Sequence, residues 1–446
     1  MTAEADRPKP TSPVGRMLAN TAWLLGGKGF GALCSVVYLA ILARSLGLRE
    51  FGHFSLIFGS AQALVAVASF QTWRVVVRYG AAHVHARDWP AFGRLGLLAG
   101  LLDLVGALIG IGLAWIIFYP LEAALDLNPE YRDMAFWFAC ASLFALNSAP
   151  TGIVRALDRF DVAAYVEAVI PVGRLLAAVA IWLTGPTLAK FLIAWAAISL
   201  FESLVYWVAA RRLCPEAVAL GHLKRLRLAG RENPGVGRFF IVAWASATLD
   251  AAAKQGPLLA VGYLVGTSTA GLFRLAAQLS QALGKLSTLL TRAAYAEINR
   301  ARVAVDAAQF RKLVIDTSLL AAGAGAVVMI LAVLLGRPLL SLIGGEPFIA
   351  AYAILVPLTA AACFDLASVA FEPVLHSTGR ARQALAGRAV GILALAVGIA
   401  WFASSDSGVP VALAVALGAF VSYLALGWLG WRALRATDPS RQRAAG

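Results

Sequence analysis

Four basic residues, Lys28, Arg174, Lys254 and Lys285, each interrupt a long apolar run near its middle. A cation in hydrocarbon costs at least ~2.5 to 3.5 kcal/mol on insertion scales, so such residues persist where they face a polar interior and have a task. The task open to Lys and Arg is to hold an anion, through a compact ammonium or a planar fork of donors. A second set points the same way. Arg274, Gln278, Gln281 and Lys285 step by four, three and four, which on a helix puts all of them on one narrow face. Asp250 and Lys254, four apart and in line with Ser246, can neutralise each other as an adjacent pair. Glu167 and Arg174 share a face on either side of Pro171, and Asp365, Ser368 and Glu372 share another. The plain alternative for each stripe is an internal salt bridge or a hydrogen bond between helices.

The elements that carry these residues are membrane spans. The chain is 60% hydrophobic and 14% charged, with a mean hydropathy of +0.76, whereas soluble domains run about 25% charged. Its apolar residues form twelve blocks: 18–43, 52–73, 95–118, 134–154, 162–183, 188–210, 239–265, 271–291, 313–335, 350–372, 385–403 and 411–431. Each is about the length that crosses a bilayer core at 1.5 Å per residue. Period-two alternation is absent and the blocks are too long for barrel strands, so the expected fold is all-α. Asn20, Lys28 and Ser35 in the first block flank a glycine-rich stretch, Gly26–Gly31, that allows close helix approach or bending.

Basic residues outside the blocks set the expected orientation. With the N-terminus inside, inward segments hold 28 Lys and Arg and outward segments hold 5, which places both termini in the cytoplasm. The 28 include Arg380, Arg382 and Arg388, read together as one inward turn. A net charge of +14 would suggest nucleic acid in a soluble protein, but here it faces an anionic leaflet, so membrane lipid is the expected contact and nucleic acid is excluded. The first 16 residues are polar and read as a cytoplasmic tail with no cleavable signal before the first span.

Catalytic chemistry finds little support. Cys34, Cys140, Cys214 and Cys363 stand alone, so neither a disulfide framework nor a metal site is indicated, and no cofactor is expected. His83 and His85 are two apart and point away from one another on a helix. A membrane-embedded polymerase would need carboxylates and bases at a large outward loop. The outward segments are short, and the one over 119–133 holds Glu122, Asp126, Glu130 and Asp133 with only Arg132. The chain reads as a transporter, not an enzyme.

An internal repeat gives this transporter its expected plan. A shift of 219 residues lays Leu46-Gly47 and Phe51-Gly52-His53-Phe54 over Val265-Gly266 and Ala270-Gly271-Leu272-Phe273, and Gln62 over Gln281. The expected domains are a tail (1–16), a six-helix lobe (17–210), a cytoplasmic connection (211–238), a second six-helix lobe (239–432) and a tail (433–446). By depth, Asp103, Glu167, Glu202 and Glu372 fall in the inner halves of their spans, while Asp250 and Asp365 lie centrally with the cations. The central zone then carries four cations against two acids, with Arg274 at the outer mouth, which suits a cavity selected for an anion. Asp103, Glu202, Asp250 and Asp365 are the candidates for coupling to a proton or sodium gradient.

The stretches "NTAWLLGGKGF", "LARSLGLREFGHFSLI" and "VVRYGAA", then "IVRALDRFDVAAYVEA", "LLSLIGGEPFIAAYAILVPL" and "LHSTGRARQAL", together resemble the polysaccharide biosynthesis (Wzx-type O-antigen) flippases of the MATE-like MOP superfamily. The resemblance covers essentially the whole chain. It implies two pseudo-symmetric six-helix lobes about a cavity that opens alternately to each side of the bacterial inner membrane. It also implies a substrate, undecaprenyl-diphosphate-linked oligosaccharide bound for surface polysaccharide or lipopolysaccharide, and work alongside a polysaccharide polymerase and a chain-length regulator. On that footing Lys28, Arg174, Lys254, Arg274 and Lys285 would meet the diphosphate or acidic sugars, and Gln278 and Gln281 the sugar hydroxyls. A drug or metabolite antiporter of the same superfamily is the main alternative; exporting cations, it should have a predominantly acidic cavity. A flippase for the peptidoglycan precursor shares the physics but usually has spans beyond twelve.

Overall fold

The computed structural model describes residues 13–120, 128–284, 307–368, 370–377, 380–401 and 407–436. Among these there is no strand. The first half of the chain contains α1 (Pro13–Ala68), α2 (Thr72–His85), α3 (Trp89–Phe118), α4 (Arg132–Phe144), α5 (Ser148–Ala156), α6 (Phe160–Glu167), α7 (Val169–Leu183) and α8 (Leu188–Leu213). A connection holding α9 (Arg227–Glu232) leads to α10 (Val236–Leu264) and a helix over 267–284, here α11. Then follow α12 (Ala307–Gly344), α13 (Tyr352–Ser368), α14 (Phe371–Ser377), α15 (Ala381–Trp401) and α16 (Val409–Ala436).

Helix starts are encoded locally. Asp88 caps α3 by accepting from the Ala91 N–H at 3.0 Å, with Pro90 in the first turn, and Thr187 caps α8. Ten stretches of the described residues are long and apolar enough to cross a membrane. One of them, 30–85, contains two spans. Gly47 breaks it with φ 72° and ψ 178°, a conformation that costs glycine nothing. The chain doubles back there: Tyr38 and Phe54 both pack edge-on against Trp195, at 5.4 and 5.9 Å, whereas in an unbroken helix they would stand ~24 Å apart. With α11, which the ten omit and which covers the described part of the block 271–291, the count agrees with the twelve expected spans.

Two adjustments to the expected boundaries follow. The inward turn 74–94 is largely helix, with Arg74 and Arg78 on α2 and Arg94 on α3. The spans at 134–154 and 162–183 are each broken, between α4 and α5 and between α6 and α7. The outer surface is apolar: Leu33, Trp137, Leu176, Trp182, Leu334 and Trp401 are all exposed. So much exposed apolar surface is stable in lipid and would be a liability in water.

The two halves share one core. Leu42, Phe51, Phe54, Ile57 and Trp195 from the first half cluster with Leu258, Val261, Phe273, Leu275 and Leu355 from the second. At one end of this core the positions related by the 219-residue shift meet reciprocally. Gly47 and Gly266 both take positive φ, 72° and 109°. A Cβ on Gly52 would lie 2.1 Å from the Thr267 carbonyl oxygen, and one on Gly271 would lie 3.1 Å from the Leu48 carbonyl oxygen and 3.2 Å from the Gly52 Cα. Backbone therefore rests on backbone, as at the small-residue interfaces of membrane helices. Arg44 ties the same end across the halves, donating to the Leu342 and Ser341 carbonyls at the end of α12, at 2.8 to 3.2 Å.

The connection between the halves is fastened to the first. Arg94 meets Glu232 at 2.5 Å, His83 lies 2.9 Å from the Asn233 side-chain oxygen, and Gly93 and Gly96 of α3 leave room for the Glu216 and Ala217 carbonyls.

Candidate functional site

Two adjoining cavities open among the helices of the second half. The larger, about 630 Å³, is lined by residues of α10, α11 and α13 to α16; the smaller, about 150 Å³, by α10 and α11 alone. They share Lys254, Phe273, Ala277 and Gln281. Pro257 interrupts the hydrogen-bond ladder of α10 one turn after Lys254. The stripe read from the sequence turns inward: Arg274, Gln278 and Gln281 of α11 and Lys254 of α10 all line the small chamber. Two cations, Lys254 and Arg274, and three side-chain amides, Gln255, Gln278 and Gln281, line it, with no carboxylate among the described residues.

The large chamber is different. Asp250, Asp365 and Glu372 line it together with Lys254 and Arg388. Arg388 is a residue that sequence reasoning missed, counting it in an inward turn. It sits two helical turns into α15 and pairs with Asp250 at 3.0 Å while its fork engages both Glu372 oxygens. Its place inside the apolar block 385–403 was the signal available. The expected pairing of Asp250 with Lys254 is corrected: Asp250 goes to Arg388, and among the described residues Lys254 has no carboxylate within 4.0 Å. A local pair four residues apart loses to a planar fork that satisfies two acids at once.

The first half departs further from expectation. Glu167 pairs with Arg155 at 2.5 Å rather than with Arg174; Glu167 closes α6 and Arg174 lies on α7. Arg174 is 9% exposed and lines neither cavity. Its guanidinium lies over Phe58 and Trp195, 5.3 and 5.5 Å from the ring centroids, and Arg274 lies 5.1 Å from the same Phe58 ring. One aromatic ring of α1 thus carries an arginine from each half, a cation–π arrangement that holds charge without neutralising it. The Arg174 Nε has no hydrogen-bond partner among the described residues.

The remaining acids are structural in their contacts. Asp103 is 5% exposed, accepts from the Thr72 hydroxyl and the Ala149 N–H, both at 2.8 Å, and so ties together the first residues of α2 and α5. Glu202 accepts from Asn147 at 3.3 Å, in the break between α4 and α5. Neither lines either of the two chambers. Lys285 lies outside the described residues, as does the side chain of Lys28 on α1. The structure brings together Lys254, Arg274, Gln278 and Gln281, sets Asp250 and Asp365 beside them, and leaves Arg174 one aromatic ring away.

Comparison with known proteins agrees in fold and family. In fold the chain is similar to the lipid II flippase MurJ in an inward closed conformation, with a TM-score of 0.72 at 10% identity, covering 91% of this chain and 87% of that one. It is also similar to an inward-facing multidrug resistance MATE transporter of the MOP superfamily, with a TM-score of 0.65 at 15% identity, covering 91% and 95%. A MOP superfamily transporter from Pyrococcus furiosus matches with a TM-score of 0.61 at 15% identity, covering 94% and 96%. At such identities these likenesses show a MATE/MOP-like bundle and nothing finer. In sequence the chain is 28% identical over 345 residues to the inner membrane protein YghQ of Escherichia coli (strain K12), covering 75% of this chain and 94% of that one. The model of the family described as polysaccharide biosynthesis protein matches residues 17–295. That match spans more than half of a multi-pass helical chain, which therefore belongs to the polysaccharide biosynthesis protein family.

Proposed function

We propose that this protein is a flippase that carries a polyprenyl-diphosphate-linked oligosaccharide from the inner to the outer leaflet of the bacterial inner membrane, with both termini in the cytoplasm. The observation that carries the reading is the small chamber, where Lys254 and Arg274 stand with Gln278 and Gln281 and, among the described residues, no carboxylate. A diphosphate is the fragment of such a substrate that needs fixed cations, and amide side chains suit the sugar hydroxyls beside it. Family membership supports a glycan substrate, and the likeness to an inner membrane relative supports the location. The prenyl tail need not enter: the apolar outer surface lets it stay in lipid while the headgroup crosses.

The experiment is a spheroplast assay for labelled lipid-linked sugar reaching the outer leaflet, with protein level monitored. The Lys254→Ala, Arg274→Ala double variant should lose translocation while remaining in the membrane at the usual level. Full translocation by that variant would overturn the proposal. The acids of the large chamber favour a second reading, a MATE-like antiporter of organic cations. That reading requires drug efflux in the same cells, lost on removing Asp250 or Asp365 and indifferent to Arg274.

A further inference from the structure

The two chambers differ in sign, and the difference bears on which sugar the substrate carries. Among the described residues the small chamber is lined by Lys254 and Arg274 without an acid. The large one is lined by three acids against Lys254 and Arg388. Arg388 is already spent on Asp250 and Glu372. Asp365 has no cation within 4.0 Å among the described residues, and its side chain is open to the chamber. Ser280, Ser368 and Ser422 add hydroxyls to the same wall. Ionised carboxylates accept hydrogen bonds from sugar hydroxyls or from an ammonium, and they repel a second carboxylate. A headgroup with its diphosphate at Arg274 would extend past the shared residues Lys254 and Gln281 into this wall.

Resting on the flippase reading above, we propose that the large chamber takes the sugar adjoining the diphosphate, that this sugar is neutral or carries a free amine rather than a carboxylate, and that Asp365 enforces the choice. Asp250 and Glu372 are less able to do so, since Arg388 offsets their charge. The expectation of acidic sugars raised by the basic residues alone is thereby reversed at one end of the cavity. Specificity of this kind comes from a repulsive element set against the wrong ligand.

The test measures binding of four probes to the full chain in nanodiscs: farnesyl diphosphate, and the same lipid diphosphate bearing N-acetylglucosamine, glucosamine or glucuronic acid. The first three should bind, and the glucuronic acid probe should bind at least about tenfold more weakly than the N-acetylglucosamine probe, the scale of an unscreened like-charge contact. Asp365→Asn should recover about tenfold for the glucuronic acid probe while leaving farnesyl diphosphate unchanged. Asp365→Glu, which keeps the charge, should keep the discrimination and guards against a merely structural effect. Equal binding of all three glycosides by the parent chain would overturn the proposal and leave the flippase reading intact. So would an Asp365→Asn variant that weakens every probe alike in a sodium-dependent manner, which would make Asp365 an ion site. Failure of farnesyl diphosphate itself to bind would remove the flippase reading and this inference with it.

Discussion

The glycine contact at one end of the molecule and the charged cavity within it are built from the same repeat, and the repeat is kept in one and broken in the other. At the contact, a shift of 219 residues relates Gly47 to Gly266 and Gly52 to Gly271, and each glycine does the same thing as its mate. At the cavity, the same shift sets Gly31 against Asp250, Ser35 against Lys254 and Ser55 against Arg274. The first-half members close on themselves: the Ser35 and Ser55 hydroxyls donate to the Gly31 and Phe51 carbonyls of their own helix, at 2.7 and 2.6 Å. Their second-half counterparts face a cavity. The related positions thus match in the glycine contact and differ in charge at the two cavities.

The largest effect should come from breaking the symmetric region. Gly52→Leu forces a side chain into the Thr267 carbonyl, and overpacking of this kind costs ~1 to 3 kcal/mol or more. The melting temperature in detergent should fall clearly, and fall further than for Gly271→Ala, whose neighbours need give only a few tenths of an ångström. An unchanged melting temperature for Gly52→Leu would mean that the end does not close in the membrane.

Arg274→Gln should come next. Losing one charge-assisted contact is worth about 1.5 to 3 kcal/mol, or tenfold and more in substrate affinity, without change in melting temperature. Binding of farnesyl diphosphate to the purified variant measures it. A smaller effect is expected from uncoupling the acids: a double-mutant cycle between Arg388→Met and Asp250→Asn should give an interaction energy of ~0.5 to 2 kcal/mol, since both side chains remain partly open to the chamber. Additive effects would deny the ion pair. Smallest of all, Ser35→Ala and Ser55→Ala should stay within about 0.5 kcal/mol in stability and leave glycan export unchanged. A loss of export in either would show that the first half contributes to the site through its serines.

Much of the scaffold was legible because its signals are local. Block length and hydropathy fix the spans, and the residue steps of Arg274, Gln278 and Gln281 fix their common face. The glycine pairs could be read from the repeat because a positive φ or a close approach leaves few other residues possible. What was not legible depends on distance in sequence. Arg388 is 138 residues from Asp250, and nothing in the neighbourhood of either predicts that a fork from α15 outcompetes Lys254. The break between α4 and α5 is marked locally by Asn147, Ser148 and Pro150; what distance hid is that Asp103 of another helix, and not the Asn147 side chain, accepts from the Ala149 N–H. Glu167 was set beside Arg174, but it pairs with Arg155, which stands on α5 across the Asp158 turn.

The connection between the halves also has a mechanical consequence. A tether of this length could in principle hang slack, but its last pinned residue is Asn233, 2% exposed and held by His83 and by its own bond to the Ala229 carbonyl. Only Pro234 and Gly235 intervene before α10 begins, and Gly235 stands at φ 81°. Cross-linking the C-terminal end of α2 to the start of α10 should therefore remove little freedom, because the link there is already short, with one glycine for its pivot.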